Sequence, residues 1–255
     1  MSPLVRRVLA PNPGPMTLDG TNSYVIASPT AESVIVVDPG PDDDAHLAAL
    51  AALGSVGLIL LTHHHADHAD GIDTLVALTG APVRAVDPAL CRDAPPLADD
   101  ELIESAGVRL RVLATPGHTA DSACFHLLGD TGSDTHGAVF TGDTVLGRGT
   151  SIIADPDGAL GPYLRSLERL QELGPVGVLP GHGPELESLS AVAAAYLAHR
   201  AGRLAEVRRA LEQLGADATA RAVADLVYAD TDAAVRPAAE ASVRAQLQYL
   251  RSGTD

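Results

Sequence analysis

The sequence contains no lysine and no tryptophan, and only two phenylalanines and two cysteines. All 17 basic residues are therefore arginine, which with the abundant alanine reads as a compositional bias without functional content. Cys91 and Cys124 make no disulfide framework and read as buried reduced thiols. No apolar run approaches the roughly 20 residues of a membrane span. Val8-Leu9-Ala10 stops at Pro11, so no signal-peptide core forms, and a cytoplasmic protein is the expectation. Positive charge is scarce as well: the net charge is −16. From Ser188 onward 8 Arg balance 8 Asp plus Glu, so the whole acidic excess falls in residues 1–187. An acidic body repels polyanions at long range, which counts against general nucleic-acid affinity but leaves room for a locally basic groove.

What is present is a chain of 255 residues, 46% hydrophobic, long enough to bury a substantial core as one large domain with or without an appendage. Apolar runs at Asn22 to Ala27, Ser33 to Val37, Gly57 to Leu61 and Val83 to Val86 read as strands. Between them, Ala45 to Leu53, led by Asp42-Asp43-Asp44, and Ile72 to Leu78 read as helices, since acidic residues favour a helix N-terminus. The alternation indicates an α/β fold. Further strands are expected at Val108 to Ala114, Ser122 to Leu128, Ala138 to Phe140 and Val176 to Leu179, with a polar hairpin-like loop over 129–137 and a helix at Tyr163 to Leu173. From Ser188 three Ala/Leu/Arg-rich helical segments follow, near 188–214, 219–229 and 235–251, broken at Gly215 and around Asp230–Asp232. The expected division is a domain over 1–187 and a helical domain over 188–255.

One stretch organises the rest: Thr62-His63-His64-His65-Ala66-Asp67-His68, where the strand at 57–61 runs out. In a short strand extension His63 and His65 share a face, and Asp67 and His68 fall where the chain bends into a helix. Nitrogen and oxygen donors packed this closely suit zinc or another first-row divalent metal. The pattern recurs along the chain. Short apolar strands end in Thr115-Pro116-Gly117-His118, Thr141-Gly142-Asp143-Thr144 and Pro180-Gly181-His182-Gly183. Loops at strand ends of α/β sheets converge on one edge.

His63-x-His65-x-Asp67-His68 followed by His118, Asp143 and His182 resembles the metallo-β-lactamase superfamily. The resemblance spans about residues 12–187 and implies an αββα sandwich with two divalent metal ions, zinc first and iron or manganese next, at one edge. Carried over, His63, His65 and His118 would hold one metal, Asp67, His68 and His182 the second, and Asp143 would bridge both. Asp38, at a strand end, would brace the His/Asp loop by hydrogen bonds, while His64 drops out. The implied chemistry is hydrolysis by a metal-bridging hydroxide, with Asp67 orienting the nucleophile and Asp143 as the shared ligand. Neither Ser122 nor Cys124 has a catalytic part. Superfamily enzymes that open β-lactams generally carry another residue where Asp143 stands, so antibiotic hydrolysis is not expected.

Longer phrases narrow the resemblance to the β-lactamase-like protein 2 family: Asn12-Pro13-Gly14-Pro15 through Tyr24, His118-Thr119-Ala120-Asp121-Ser122, Gly142 through Thr150, and Pro180 through Pro184. In the tail, His199-Arg200-x-x-Arg203, Leu226-Val227-Tyr228 and Ala238-Ala239-Glu240 are similar to that family's small winged-helix-like domain. The family includes endoribonucleases, so the implied substrate is single-stranded RNA. The tail has no net positive charge and no room for a full β-wing; Arg200, Arg203 and Arg208 form either an RNA-facing row or an ordinary solvated helix face. The alternative is a glyoxalase II-like hydrolase of a small acyl-thiol thioester. A third reading makes the tail a docking or homodimer surface through Leu204, Val207, Leu211 and Leu214 with Val243, Leu247 and Leu250, or packs those residues on the chain's own catalytic domain.

Overall fold

The computed structural model describes residues 3–129, 137–153, 156–229 and 236–252. The body of the loop expected over 129–137, and the break expected at Asp230–Asp232, lie outside them. The first half contains β1 (Val5–Leu9), β2 (Asn22–Ile26), β3 (Val34–Val37), α1 (Asp44–Ala51), β4 (Val56–Leu60), α2 (Ala66–Ala69), α3 (Ile72–Thr79) and β5 (Val83–Arg84). Its strands form one sheet in that order, antiparallel up to β3 and parallel from β3 to β5. The second half contains β6 (Leu102–Ser105), β7 (Val108–Ala114), β8 (Ala123–Leu127), β9 (Ala138–Gly142), α4 (Leu160–Glu172) and β10 (Gly177–Pro180), forming a second sheet ordered β10-β9-β8-β7-β6. The tail is α5 (Leu189–Leu214), α6 (Ala220–Val227) and α7 (Arg236–Arg251).

Alternation within the strands builds four layers. Ile35, Val37, Leu58 and Leu60 of the first sheet meet Leu110, Val112, Phe125 and Phe140 of the second in the central core. Their neighbours Val36, Ile59 and Leu61 face outward onto Leu47 and Leu50 of α1 and Ile72 and Leu75 of α3. Because both faces of β3 and β4 are covered, these strands read as unbroken apolar runs instead of alternating ones. Leu113, Cys124, Val139 and Val178 cover the other outer face with Leu160, Tyr163, Leu167 and Leu170 of α4. Each fully buried leucine there contributes about 1.5–3 kcal/mol. The result is the expected αββα sandwich. Helix α1 starts where the acidic run predicts, with the Asp43 carboxylate accepting the His46 backbone N–H at 2.8 Å.

The tail helices spend their apolar faces within the chain. Leu189, Tyr196 and Leu204 of α5 join the α4 cluster, while Val207, Val223, Val243 and Leu247 make a small core of their own. Leu214 alone of the residues expected on those faces is strongly exposed, at 46%. Among the described residues no strand follows α5. No helix among them is long and apolar enough to cross a membrane.

Two strands exceed the sequence reading. β1 and β6 are edge strands, with two exposed arginines in Val-Arg-Arg-Val-Leu and an exposed Leu102 at the start of Leu-Ile-Glu-Ser. A one-sided edge gives too weak a period to stand out from loop. The expected extension of β4 through His65 does not form. Leu61 makes the last backbone bond within this sheet, to Arg84 O; the Thr62 N–H goes instead to the Asp38 carboxylate at 2.8 Å, and the Thr62 carbonyl accepts the Ala123 N–H of β8 in the other sheet.

Candidate metal centre

Asp38 begins the site. It follows β3 with φ +54°, a left-handed conformation tolerated best by Gly, Asn and Asp. There its carboxylate accepts from the Thr62 backbone N–H (2.8 Å), the Thr62 hydroxyl (2.7 Å) and His68 Nδ1 (2.8 Å). With its hydroxyl proton given to Asp38, Thr62 Oγ1 accepts from His63 Nδ1 at 3.0 Å. The hydrogen-bond network thus assigns the tautomer and leaves the His63 Nε2 lone pair pointing inward.

The same device repeats at each strand end. His118 Nδ1 donates to Ile152 O at 2.9 Å, and His182 Nδ1 to Gly20 O at 3.1 Å. His65 is turned the other way, with Nδ1 inward and Nε2 3.3 Å from Asp157 Oδ2. The His182 turn is held by the end of the Asn12-to-Tyr24 phrase: Asn22 Nδ2 donates to Pro180 O and Gly183 O, and Tyr24 OH to Pro180 O. Close approach explains two glycines. A Cβ on Gly142 (φ +46°) would lie 2.5 Å from Thr62 Oγ1, and one on Gly181 would lie 2.7 Å from both Asp143 Oδ1 and His68 Cε1.

All seven predicted side chains come together. His65 Nδ1 lies 3.1 Å from His63 Nε2 and 3.1 Å from His118 Nε2. Separately, His182 Nε2 lies 3.2 Å from His68 Nε2 and 3.0 Å from Asp67 Oδ2. Asp143 reaches both groups: Oδ1 is 3.4 Å from His68 Nε2 and from His182 Nε2, and Oδ2 is 3.7 Å from His118 Nε2. Within each group the potential donor atoms lie within 4.8 Å of one another.

These donor sets fit a cation. Since the Nδ1 protons of His63 and His118 are spent on outward partners, both Nε2 atoms turn lone pairs toward His65 Nδ1, 3.1 Å from each. Asp143 Oδ1 is buried with no close hydrogen bond, its nearest donors being His68 Nε2 and His182 Nε2 at 3.4 Å, a spacing that leaves it free to accept a cation. In the protein alone, burial holds the His63 imidazole well below the usual histidine range, helped by His68. Burial works against His68 too, but the Asp38 and Asp143 carboxylates outweigh it and raise that imidazole well above its ordinary value. Burial would push the Asp143 carboxyl up, yet His68, His182 and His118 hold it well below the usual carboxylate range. The negative charge of the site is therefore present at neutral pH. Imidazole and carboxylate donors suit zinc, iron or manganese.

His64 belongs to neither of these two sets, with Nδ1 2.7 Å from Asp121 Oδ1 and Nε2 3.3 Å from Asp157 Oδ2, but with His65 and Asp157 it forms a further group whose donor atoms lie within 4.8 Å of one another. Asp157 and Thr62 carry no motif in the sequence; only the fold brings them to the histidines. Cys124 is fully buried, its thiol pushed up to about 11 by desolvation, and Ser122 Oγ accepts the Thr119 N–H of the His118 turn at 3.1 Å. The arginine row of the tail is corrected: Arg200 is 5% exposed and turned into the protein, bonded to Ser151 O, while Arg203 pairs with Glu206 at 2.7 Å.

Residues 16–182 match the metallo-beta-lactamase superfamily. The chain is 33% identical to the beta-lactamase-like protein 2 homolog of Caenorhabditis elegans, over 98% of this chain and 85% of that protein. Among solved structures, the metallo-beta-lactamase family protein TTHA1429 from Thermus thermophilus superposes with a TM-score of 0.78 at 26% identity, covering 98% of this chain and 94% of that one. TTHA1623 in a di-iron-bound form gives a TM-score of 0.56 at 26% identity, covering 75% of this chain and 98% of that one.

Proposed function

This chain belongs to the metallo-β-lactamase superfamily, and within it to the β-lactamase-like protein 2 family; on that premise we propose that it is a dinuclear metal-dependent hydrolase cleaving phosphodiester bonds of single-stranded RNA. The observation that carries the reading is the position of Asp143. Its two carboxylate oxygens face opposite donor sets, His68 with His182 on one side and His118 on the other. In this reading His63, His65 and His118 hold one ion, Asp67, His68 and His182 the other, and Asp143 is shared. Two divalent cations, zinc first, would supply Lewis-acid charge and a nucleophilic water at neutral pH. The di-iron form of TTHA1623 supports a two-metal site in a protein of this fold.

The chain's own residues do the rest. Asp38 and Thr62 orient His68 and His63, and backbone carbonyls orient His118 and His182, so the donors are arranged before any substrate arrives. Asp67 keeps an exposed side: its side chain is 28% accessible where His68 and His182 are 0% and 1%. Burial would raise its carboxyl, but His182 and His68 hold it below the ordinary aspartate value. Ionised and partly exposed, Asp67 orients the attacking water.

A second reading, hydrolysis of a small acyl-thiol thioester, is favoured by charge. The net charge is −16 and Arg200 is withdrawn from the surface, so the protein attracts no polyanion at long range. The family resemblance keeps RNA ahead.

The metal reading is tested with Asp143→Ala. The wild type should hold two ions per chain by elemental analysis, and the variant fewer, with turnover lost and the far-ultraviolet circular dichroism unchanged. Full turnover by the variant contradicts a shared Asp143 ligand.

A further inference from the structure

Helix α5 carries two buried polar side chains one turn apart, Tyr196 and Arg200, at 5% exposure each. Both grip the segment that follows Asp143. The Tyr196 hydroxyl donates to Gly149 O at 2.8 Å and accepts the Leu146 N–H at 3.1 Å. Arg200 Nη2 donates to Ser151 O, and the Ser151 hydroxyl donates to the Asp143 backbone carbonyl at 2.5 Å. The guanidinium also lies over the Tyr163 ring, 5.2 Å from its centroid, and the Tyr163 hydroxyl donates to Thr144 O at 2.8 Å. Thus Asp143, Thr144, Leu146, Gly149 and Ser151 are all held, directly or through one side chain, by this pair and the tyrosine beneath it.

We infer that α5 is a working part of the catalytic centre, with Arg200 and Tyr196 as positioning residues that fix the Asp143 segment and so the direction of the Asp143 carboxylate. The Asp143 carboxylate lies 3.4 Å from His68 Nε2 and His182 Nε2 through Oδ1 and 3.7 Å from His118 Nε2 through Oδ2, and it can face both donor sets only while its backbone is held in place. Stability alone does not explain the arginine. Arg200 Nε is itself buried without a partner, and among the described residues no carboxylate pairs with the guanidinium. A buried charge so placed costs stability relative to an apolar side chain of similar shape. What it contributes is a fixed bond to the Ser151 backbone carbonyl, with the guanidinium seated on the Tyr163 ring. The tail thereby has a role other than nucleic-acid contact, one that rests on the reading of Asp143 as the ligand shared by two metals.

The test uses Arg200→Met, which keeps the stem on Tyr163, with Arg200→Lys and Tyr196→Phe. Zinc affinity is read by competition with a chromophoric chelator, and turnover with bis(4-nitrophenyl) phosphate. Arg200→Met should bind its weaker zinc ion roughly 10–100-fold less tightly and lose a comparable factor in kcat, with KM changed less than about twofold. Its metal-free thermal midpoint should stay or rise, whereas a merely structural role would lower the midpoint and leave zinc affinity alone. Arg200→Lys should recover part of the loss, and Tyr196→Phe should weaken zinc by roughly tenfold. Wild-type zinc affinity in both Arg200→Met and Tyr196→Phe overturns the inference. If Arg200→Met does not fold, Tyr196→Phe decides alone. Asp143→Ala run alongside separates the two levels: two tightly held zinc ions in that variant remove the shared-ligand reading itself, whatever the α5 variants do.

Discussion

Asp38 ties the sandwich to its centre through one carboxylate that takes three hydrogen bonds, two from Thr62 and one from His68. Asp38→Ala leaves the buried Thr62 N–H and hydroxyl without that acceptor, a loss of about 1–3 kcal/mol for each orphaned group. It also puts alanine at φ +54°, where a Cβ without local hydrogen bonds adds roughly 1–2 kcal/mol of strain. Urea unfolding of the metal-free variant should show this destabilisation, and calorimetric titration a zinc affinity lower by roughly 10–100-fold. Asp38→Asn keeps the backbone conformation but cannot accept from all three partners, so its losses should be smaller on both measurements. Wild-type zinc affinity in Asp38→Ala would show that His68 needs no brace. At this scale the sequence was informative where chemistry is local. His63, His65, Asp67, His68, His118, Asp143 and His182 each sit beside a strand end or a small-residue turn. Asp157 was illegible because its histidine partners lie far along the chain, and Ser151 because a lone serine bonding a backbone carbonyl eight residues back carries no pattern.

Among the elements, interior strands and helices were readable and edges were not. β3, β4 and β7 carry continuous or alternating apolar residues that only a covered strand requires, and α5 to α7 follow the expected bounds within a few residues. β1 and β6 were missed for the opposite reason, since half of each faces solvent. Arg200 was misread on the same principle: in a helix otherwise rich in exposed arginine, nothing local marks the one that points inward. The two sheets are also linked at their far edge, where Arg84 of β5 makes paired bonds of 2.7 and 2.9 Å to Glu101, just before β6. The Arg84 guanidinium holds the Glu101 carboxyl below its ordinary value. A lowered folded-state value means that the link stabilises fully above the unfolded glutamate value of about 4.3 and that this contribution disappears as pH falls through the folded value. Glu101→Gln should therefore lower stability at neutral pH, by roughly 1 kcal/mol for a half-buried surface pair, and have no effect near pH 2. Equal destabilisation at both pH values would assign the effect to packing instead of charge.

For the whole molecule, charge and architecture point in different directions. The αββα sandwich brings its donors to one edge, and the acidic body surrounds that edge with a net −16. A pair of divalent cations reduces this charge without reversing it. Substrate recognition then depends on the centre itself, not on long-range steering, and RNA cleavage should show only a shallow dependence on salt compared with proteins that make many arginine–phosphate contacts. The most direct measurement is turnover of a single-stranded RNA oligonucleotide and of an acyl-thioester by the same zinc-loaded protein, before and after chelation. A two-metal ribonuclease should cut the RNA faster than the thioester, lose all cutting to the chelator, and regain it with zinc. Thioester hydrolysis with no RNA cleavage, or RNA cleavage that survives complete removal of metal, would contradict that function.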